Sequence, residues 1–222
     1  MPVPDDNTKA REKLLTCGSA LFIGAHPDDI EFRAGALVCL MRQHGTRVTF
    51  AIATRGGRGW PEPIGRPLER IRERQQYTAA GILGGAEVVF FDYPDGSLQA
   101  HVEPLAGGLA RLIADLRPDV VLSWDPEFID TTHPDHQAAA DATLTAAAGL
   151  DVCWYGSTRP NVRIGFDEET LQMKLRAIKA HKTETPWFHF DLRLKKRMIA
   201  RMRQEGSEIG CDYAEAFRLT LP

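Results

Sequence analysis

The chain has 222 residues, 43% of them hydrophobic and 26% charged. This is ordinary globular composition at a length that suits one domain, and it excludes a wholly disordered chain. A formal net charge of −3 argues against a dedicated nucleic-acid binder, and the longest apolar runs, such as Val88-Val89-Phe90-Phe91, fall far short of a membrane span.

The opening Met1-Pro2-Val3-Pro4-Asp5-Asp6 has neither the basic start nor the apolar core of a signal peptide, so a cytoplasmic protein is expected. Ala20-Leu21-Phe22-Ile23 reads as the first strand, and residues 34–44 as a helix closed by Gly45. Residues 47–53, rich in Val, Thr and Ile, form the second strand. Leu68, Ile71, Gln75, Ala79 and Ile82 recur at steps of three and four, marking an amphipathic helix ended by Gly84-Gly85. Residues 87–91 are the third strand, followed by a helix that stops near Leu116-Arg117-Pro118. The fourth strand spans 120–124 and precedes an Ala-rich helix over about 135–148. Short strands follow at 152–155 and 162–166, then a helix marked by Leu171, Leu175 and Ile178. A last helix over 192–204 carries many Lys and Arg residues, read as a solvated face, with contact to a nucleic acid or an anionic surface as the alternative. Four strands separated by crossover-length helices predict an α/β fold with a parallel, doubly wound sheet. No repeat or linker divides residues 1–222, so one domain is expected. Cys17, Cys39, Cys153 and Cys211 form no C-x-x-C pair, which leaves neither a thiolate zinc site nor a disulfide framework.

In open α/β sheets, ligands bind beyond the carboxyl ends of the strands. After the first strand comes Gly24-Ala25-His26-Pro27-Asp28-Asp29-Ile30-Glu31, an imidazole and three carboxylates in place of a phosphate-binding glycine turn. Arg55-Gly56-Gly57-Arg58-Gly59 lacks the required spacing, so dinucleotide binding is not supported. After the fourth strand comes Thr131-Thr132-His133-Pro134-Asp135-His136. Two His/Asp-rich turns thus sit at one end of a sheet, on strands that suit neighbouring positions. Two histidines and one carboxylate, with a place left for water, are the ligand set of a hydrolytic zinc site. In a tight turn His26 and Asp29 can aim at one ion, with His136 as the third ligand. The plainer alternatives are that Asp28, Asp29 or Asp135 caps a helix and that His133 or His136 is a hydrogen-bonded turn residue. Trp60, beside Pro61 and Pro63 in a long glycine- and proline-rich loop, suits either stacking on a sugar face or packing within that loop.

These two motifs resemble those of the PIG-L/LmbE-like zinc-dependent N-deacetylases. The resemblance runs from about Ala20 to Phe217 and includes Arg72-Glu73, the Lys174…His181-Lys182-Thr183 segment and the ending Tyr213-Ala214-Glu215-Ala216-Phe217. It implies a Rossmann-like α/β fold with a mostly parallel central sheet and helices on both faces. It also implies one zinc ion per chain, or another divalent ion, on His26, Asp29 and His136. Asp28 then matches the general base and His133 the imidazole, protonated in this reading, that stabilises the tetrahedral intermediate. Arg55 lies where members often set a polar side chain near the reacting carbonyl. Three departures stand out: Arg33 where many members have glycine, Gly57 where an acid is common, and Glu184 where glutamine is common. Arg33 is therefore a candidate substrate contact or an exposed structural residue.

The expected function is removal of an N-acetyl group from an N-acetylglucosamine-type sugar conjugate, releasing acetate and a free amine. The partner is then that small molecule, with no nucleic acid and no membrane span; homo-oligomerisation stays open. The alternatives are cleavage of another amino-sugar amide, or a non-catalytic metal- or carbohydrate-binding protein. Asp28 and His133 speak against the latter, because metal binding alone needs neither. Two-metal phosphoesterase chemistry would require more carboxylates.

Overall fold

The computed structural model describes residues 6–58, 66–184 and 192–220. In chain order these form α1 (Asp6–Thr16), β1 (Ser19–Gly24), α2 (Asp29–Gln43), β2 (Arg47–Thr54), α3 (Arg66–Ile82) and β3 (Glu87–Tyr93). A 3-10 turn, Leu98–His101, leads into α4 (Val102–Leu116), β4 (Val120–Trp124), α5 (Pro134–Ala146), β5 (Val152–Tyr155) and β6 (Val162–Phe166). The chain continues through α6 (Glu168–Ala180), α7 (Leu192–Ser207) and β7 (Tyr213–Thr220).

The strands make one seven-stranded sheet in the order β3-β2-β1-β4-β5-β7-β6. β1 pairs in parallel with β2 on one side and β4 on the other, and β2–β3 and β4–β5 are parallel too. β7 runs antiparallel to both β5 and β6. The predicted, mostly parallel α/β sheet is therefore present. Every residue of β1, β4 and β5 is buried, as expected of parallel strands covered by helices on both faces. The strand order reverses between β1 and β4, and that is where a doubly wound sheet opens a crevice at its carboxyl end. Among the described residues no helix is long and apolar enough to cross a membrane.

The structure adds α1 and β7, which the apolar pattern did not mark. It also starts α2 at Asp29, inside the first His/Asp turn, where a start at 34 was expected. The cause is a kink: Ala34 has φ −138° and ψ 15°, splitting α2 into a short first part and a longer second part. Any helix start leaves N–H groups without intrahelical acceptors. Here the N–H groups of Ala36 and Leu37 donate to the Glu215 carboxylate of β7 at 3.0 and 2.9 Å. Lys174 of α6 donates from Nζ to Glu215 at 2.6 Å and to the Phe32 carbonyl at 2.8 Å. A buried Lys–Glu pair thus repairs both sides of the break, and the first part of α2 carries Asp29 to the crevice.

Candidate metal-centred active site

The β1 and β4 turns meet at the crevice, and His26, Asp29 and His136 converge there. One Asp29 oxygen, Oδ2, accepts from the backbone N–H groups of Ala25 and His26 at 2.8 and 3.0 Å and from the Trp124 indole N–H at 3.1 Å. That leaves Oδ1, which lies 3.1 Å from His136 Nε2. His26 Nδ1 is 3.3 Å from the same His136 nitrogen. Ligands about 2.0–2.1 Å from a tetrahedral ion stand roughly 3.3 Å from one another, which suits the two edges to His136. The third, His26 Nδ1 to Asp29 Oδ2, is wider at 3.9 Å. The donor groups that close on one point among the described residues are His26, His133 and His136, and His26, Asp95 and Asp135.

The surroundings of these donors fix their orientation. His26 Nε2 faces Asp95 Oδ1 at 3.1 Å and Asp135 Oδ2 at 3.2 Å, which commits that nitrogen to a proton and turns Nδ1 inward. Burial alone would lower the His26 imidazole, but Asp135 and Asp95 outweigh it and raise it to about 10. Burial would likewise raise Asp29, yet His136 and His26 hold its carboxylate well below the usual range. The pocket therefore stabilises positive charge at this point. His136 stacks on Trp124, ring centroids 4.0 Å apart and planes 14° apart. Gly156, at φ +66°, makes room for that indole: a Cβ there would lie 2.7 Å from Trp124 Cζ3.

Asp28 adjoins this cluster and points differently. Its φ of +104° is unusual for a residue with a side chain and marks a strained turn held by its neighbours. The Asp28 N–H donates to Gln76 Oε1 at 3.1 Å, and Gln76 Nε2 donates to the buried Glu31 at 2.6 Å. Arg72 reaches from α3, donating to the Pro27 carbonyl at 2.9 Å and the Gly56 carbonyl at 3.1 Å. Burial pushes the Asp28 carboxyl up to about 7, against the opposing pull of Arg72, 4.0 Å away. The Asp28 side chain makes no helix-capping hydrogen bond, so the plainer capping role does not account for it.

His133 does serve as a cap. Its Nδ1 accepts the Asp135 N–H at 3.2 Å at the start of α5, and its ring lies 4.8 Å from those of both His26 and His136. Burial, and then the neighbouring imidazoles of His26 and His136, lower His133 below its ordinary value. With Nδ1 accepting that N–H, the ring carries a proton on Nε2. Asp135 is no cap either: its carboxylate accepts the N–H groups of Gly96 and Leu98 at 2.7 and 3.1 Å.

Of the remaining candidates, Arg33 lines the same cavity, whose volume is about 610 Å³. Arg55 does not join them. It pairs with Asp92 and, at 2.6 Å, with Glu73, over the Phe90 ring, and lines a separate cleft. Trp60 lies outside the described residues. Asp95, Arg72 and Trp124 belong to the site and were not singled out for it. Their signal was positional: Asp95 follows β3 and Trp124 ends β4, both at the carboxyl edge of the sheet.

The chain is similar to known deacetylases in sequence and in fold. The family model PIG-L, described as GlcNAc-PI de-N-acetylase, matches residues 21–147. A diacetylchitobiose deacetylase from Thermococcus kodakarensis is 26% identical over 200 residues, covering 80% of this chain and 74% of that protein. The structure of N,N'-diacetylchitobiose deacetylase from Pyrococcus horikoshii superposes with a TM-score of 0.82 at 22% identity, covering 99% of this chain and 95% of that one. A 4-carboxy-2-hydroxymuconate hydratase from Pseudomonas putida shares the fold, with a TM-score of 0.76 at 22% identity over 92% of this chain and 96% of that one. The fold alone thus does not select the reaction. The family match spans both His/Asp turns and more than half of the chain, and the chain belongs to the PIG-L family.

Proposed function

We propose that His26, Asp29 and His136 hold one divalent metal ion, zinc in the native enzyme, and that the chain hydrolyses the amide of an N-acetylglucosamine-type conjugate. The observation that carries this reading is the approach of His26 and Asp29 to His136 beside a second carboxylate, Asp28, which faces Arg72 at 4.0 Å. The bound ion supplies Lewis acidity for the amide carbonyl and lowers the pKa of water to about 7. Asp28 takes the proton of the attacking water; a carboxyl raised to about 7 is matched to that task near neutral pH. His133, its Nδ1 occupied by the Asp135 N–H, donates from Nε2 to the oxyanion as charge develops. Asp28 then returns the proton to the leaving nitrogen, giving acetate and a free amine. The N-acetylated sugar named for the Thermococcus relative supports that substrate class.

Elemental analysis combined with acetate release from a panel of N-acetylglucosamine glycosides tests the reading. The expected result is about one metal ion per chain and one acetate for each amine formed. A folded, reconstituted sample without metal would overturn the ligand assignment. Metal without acetate release from any glycoside would overturn the reaction, and the hydratase neighbour makes water addition to an unsaturated acid the next substrate class to assay.

A further inference from the structure

Arg33 stands between two cavities. It lines the active-site cavity and also a second one of about 410 Å³, walled by Phe32, Met198, Met202 and Ala214, between α7 and β7. Its guanidinium lies 4.7 Å from the centroid of the Trp124 ring, the same indole on which His136 stacks. Arg33 Nη1 donates to Asp130 Oδ2 at 2.8 Å, and Arg201 of α7 donates from Nη1 to the same oxygen at 3.0 Å. Two cations thus share one carboxylate. Of the acids lining the two cavities, Glu215 pairs with Lys174 at 2.6 Å, Glu205 with Arg163 at 2.8 Å and Glu184 with Arg72 at 3.0 Å, while Asp28, Asp29 and Asp95 lie on the side of the proposed metal ligands. At the neck formed by Phe32 and Arg33, which line both cavities, the Arg33–Asp130–Arg201 group carries one positive charge in excess. The Arg33 side chain is only 27% exposed, so an ion pair formed there is screened less than one in open water. A guanidinium fork also matches the oxygens of a carboxylate or phosphate.

We propose that Arg33, with Arg201 and held in place by Asp130, recognises an anionic group on the aglycone of the N-acetylated sugar, a carboxylate or a phosphate. This rests on the deacetylase reading above and specifies its substrate class. The aglycone would leave the metal-bearing cavity past Trp124, setting its charge at the neck, with the second cavity open to whatever lies beyond.

Three substrates separate the outcomes: the neutral methyl glycoside of N-acetylglucosamine, the glycoside of glycolic acid, and N-acetylglucosamine 1-phosphate. Acetate release gives kcat and KM for each, and calorimetry gives binding independently of turnover. The wild-type chain should favour one or both anionic compounds in KM and in binding, and the better of the two identifies the anion. Arg33→Met keeps an apolar stem over Trp124 and should weaken binding of the preferred anionic compound about 10- to 100-fold, the worth of one charge-assisted hydrogen bond. The anionic-over-neutral ratio of kcat/KM should then fall toward one, mainly through KM, with Arg33→Lys restoring part of it and Arg201→Met acting in the same direction. Equal wild-type binding of all three compounds would overturn the proposal. So would an Arg33→Met variant that weakens neutral and anionic compounds alike, since that is the result of a structural ion pair. Preferential anion binding without acetate release would instead refute the deacetylase reading and leave the anion site standing.

Discussion

Asp28 and Asp29 are adjacent carboxylates in opposite environments. Asp29 is tied by three N–H donors on one oxygen and faces His136 with the other, whereas Asp28 sits in a left-handed turn, clear of those donors. Asp29→Ala should therefore lose most metal affinity together with activity. Asp28→Asn should keep the metal and lose about 10²–10⁴-fold in kcat, the usual contribution of a positioned base. Metal content and kcat on folded protein check both, and the reverse pattern would exchange the two roles. This part of the site was legible in the sequence because each turn carries its donors within a few residues, directly after a strand. Asp95 and Arg72 were not, because they act through contacts with His26 and Pro27 that only the packed sheet creates. Arg55 stands apart from the other candidates for a related reason: Asp92 and Glu73, one on β3 and one on α3, hold it in a separate cleft.

The two-part helix α2 depends on partners far away in sequence. Glu215 accepts the Ala36 and Leu37 N–H groups while pairing with Lys174, and both members of the pair are buried. Removing one partner of such a pair leaves an uncompensated buried charge and typically costs about 3–5 kcal/mol. Glu215→Ala and Lys174→Met should each lose stability of that order in urea denaturation, and metal affinity should fall with it because Asp29 rides on the first part of the helix. A loss below about 1 kcal/mol in both variants would show that the kink supports itself. The kink explains why the apolar pattern pointed to a helix start at 34, since Asp29-Ile30-Glu31-Phe32-Arg33 reads as a charged loop until its partners are known. β7 was hidden for a comparable reason: buried Glu215 interrupts the run that would mark a core strand. β1, β2 and β4 were plain because parallel strands covered on both faces are continuously apolar.

The antiparallel strand also ties the molecule together through Asp125, which follows β4. Its carboxylate accepts Arg218 Nε and Nη2 at 2.6 and 2.7 Å and the N–H groups of Glu127 and Phe128 at 2.9 and 3.0 Å. Burial would raise Asp125, but the Arg218 hydrogen bonds and these backbone donors win and hold it below its ordinary value of 3.8. A depressed carboxylate stabilises the fold fully above its unfolded value, and that contribution is lost as pH falls through the folded value. Asp125→Asn should therefore be less stable than the wild type at neutral pH, with the gap narrowing below about pH 4. Melting temperatures measured from pH 7 to pH 3 check this, and a gap that stays constant would refute it. The general architecture, strands alternating with crossover helices, followed from periodicity. The position of β7 did not, because nothing local specifies insertion between two earlier strands.

That insertion constrains how the enzyme is born. β5 and β6 are made well before β7, yet neither can pair with the other, because the sheet keeps the place between them for a strand that comes later. Until it arrives, both present open edges, the kind of backbone that recruits other chains. The catalytic turns, complete by His136, meanwhile wait for Glu215 to steady the helix that bears Asp29. A chain ended after Ser207 should thus hold every proposed ligand and still aggregate without binding metal, as judged by light scattering and elemental analysis. A soluble, metal-loaded truncate would show that maturation does not wait for β7. Otherwise the ribosome must release nearly the whole polypeptide before any catalyst exists, and chaperones must shield the two unfinished edges in the interval.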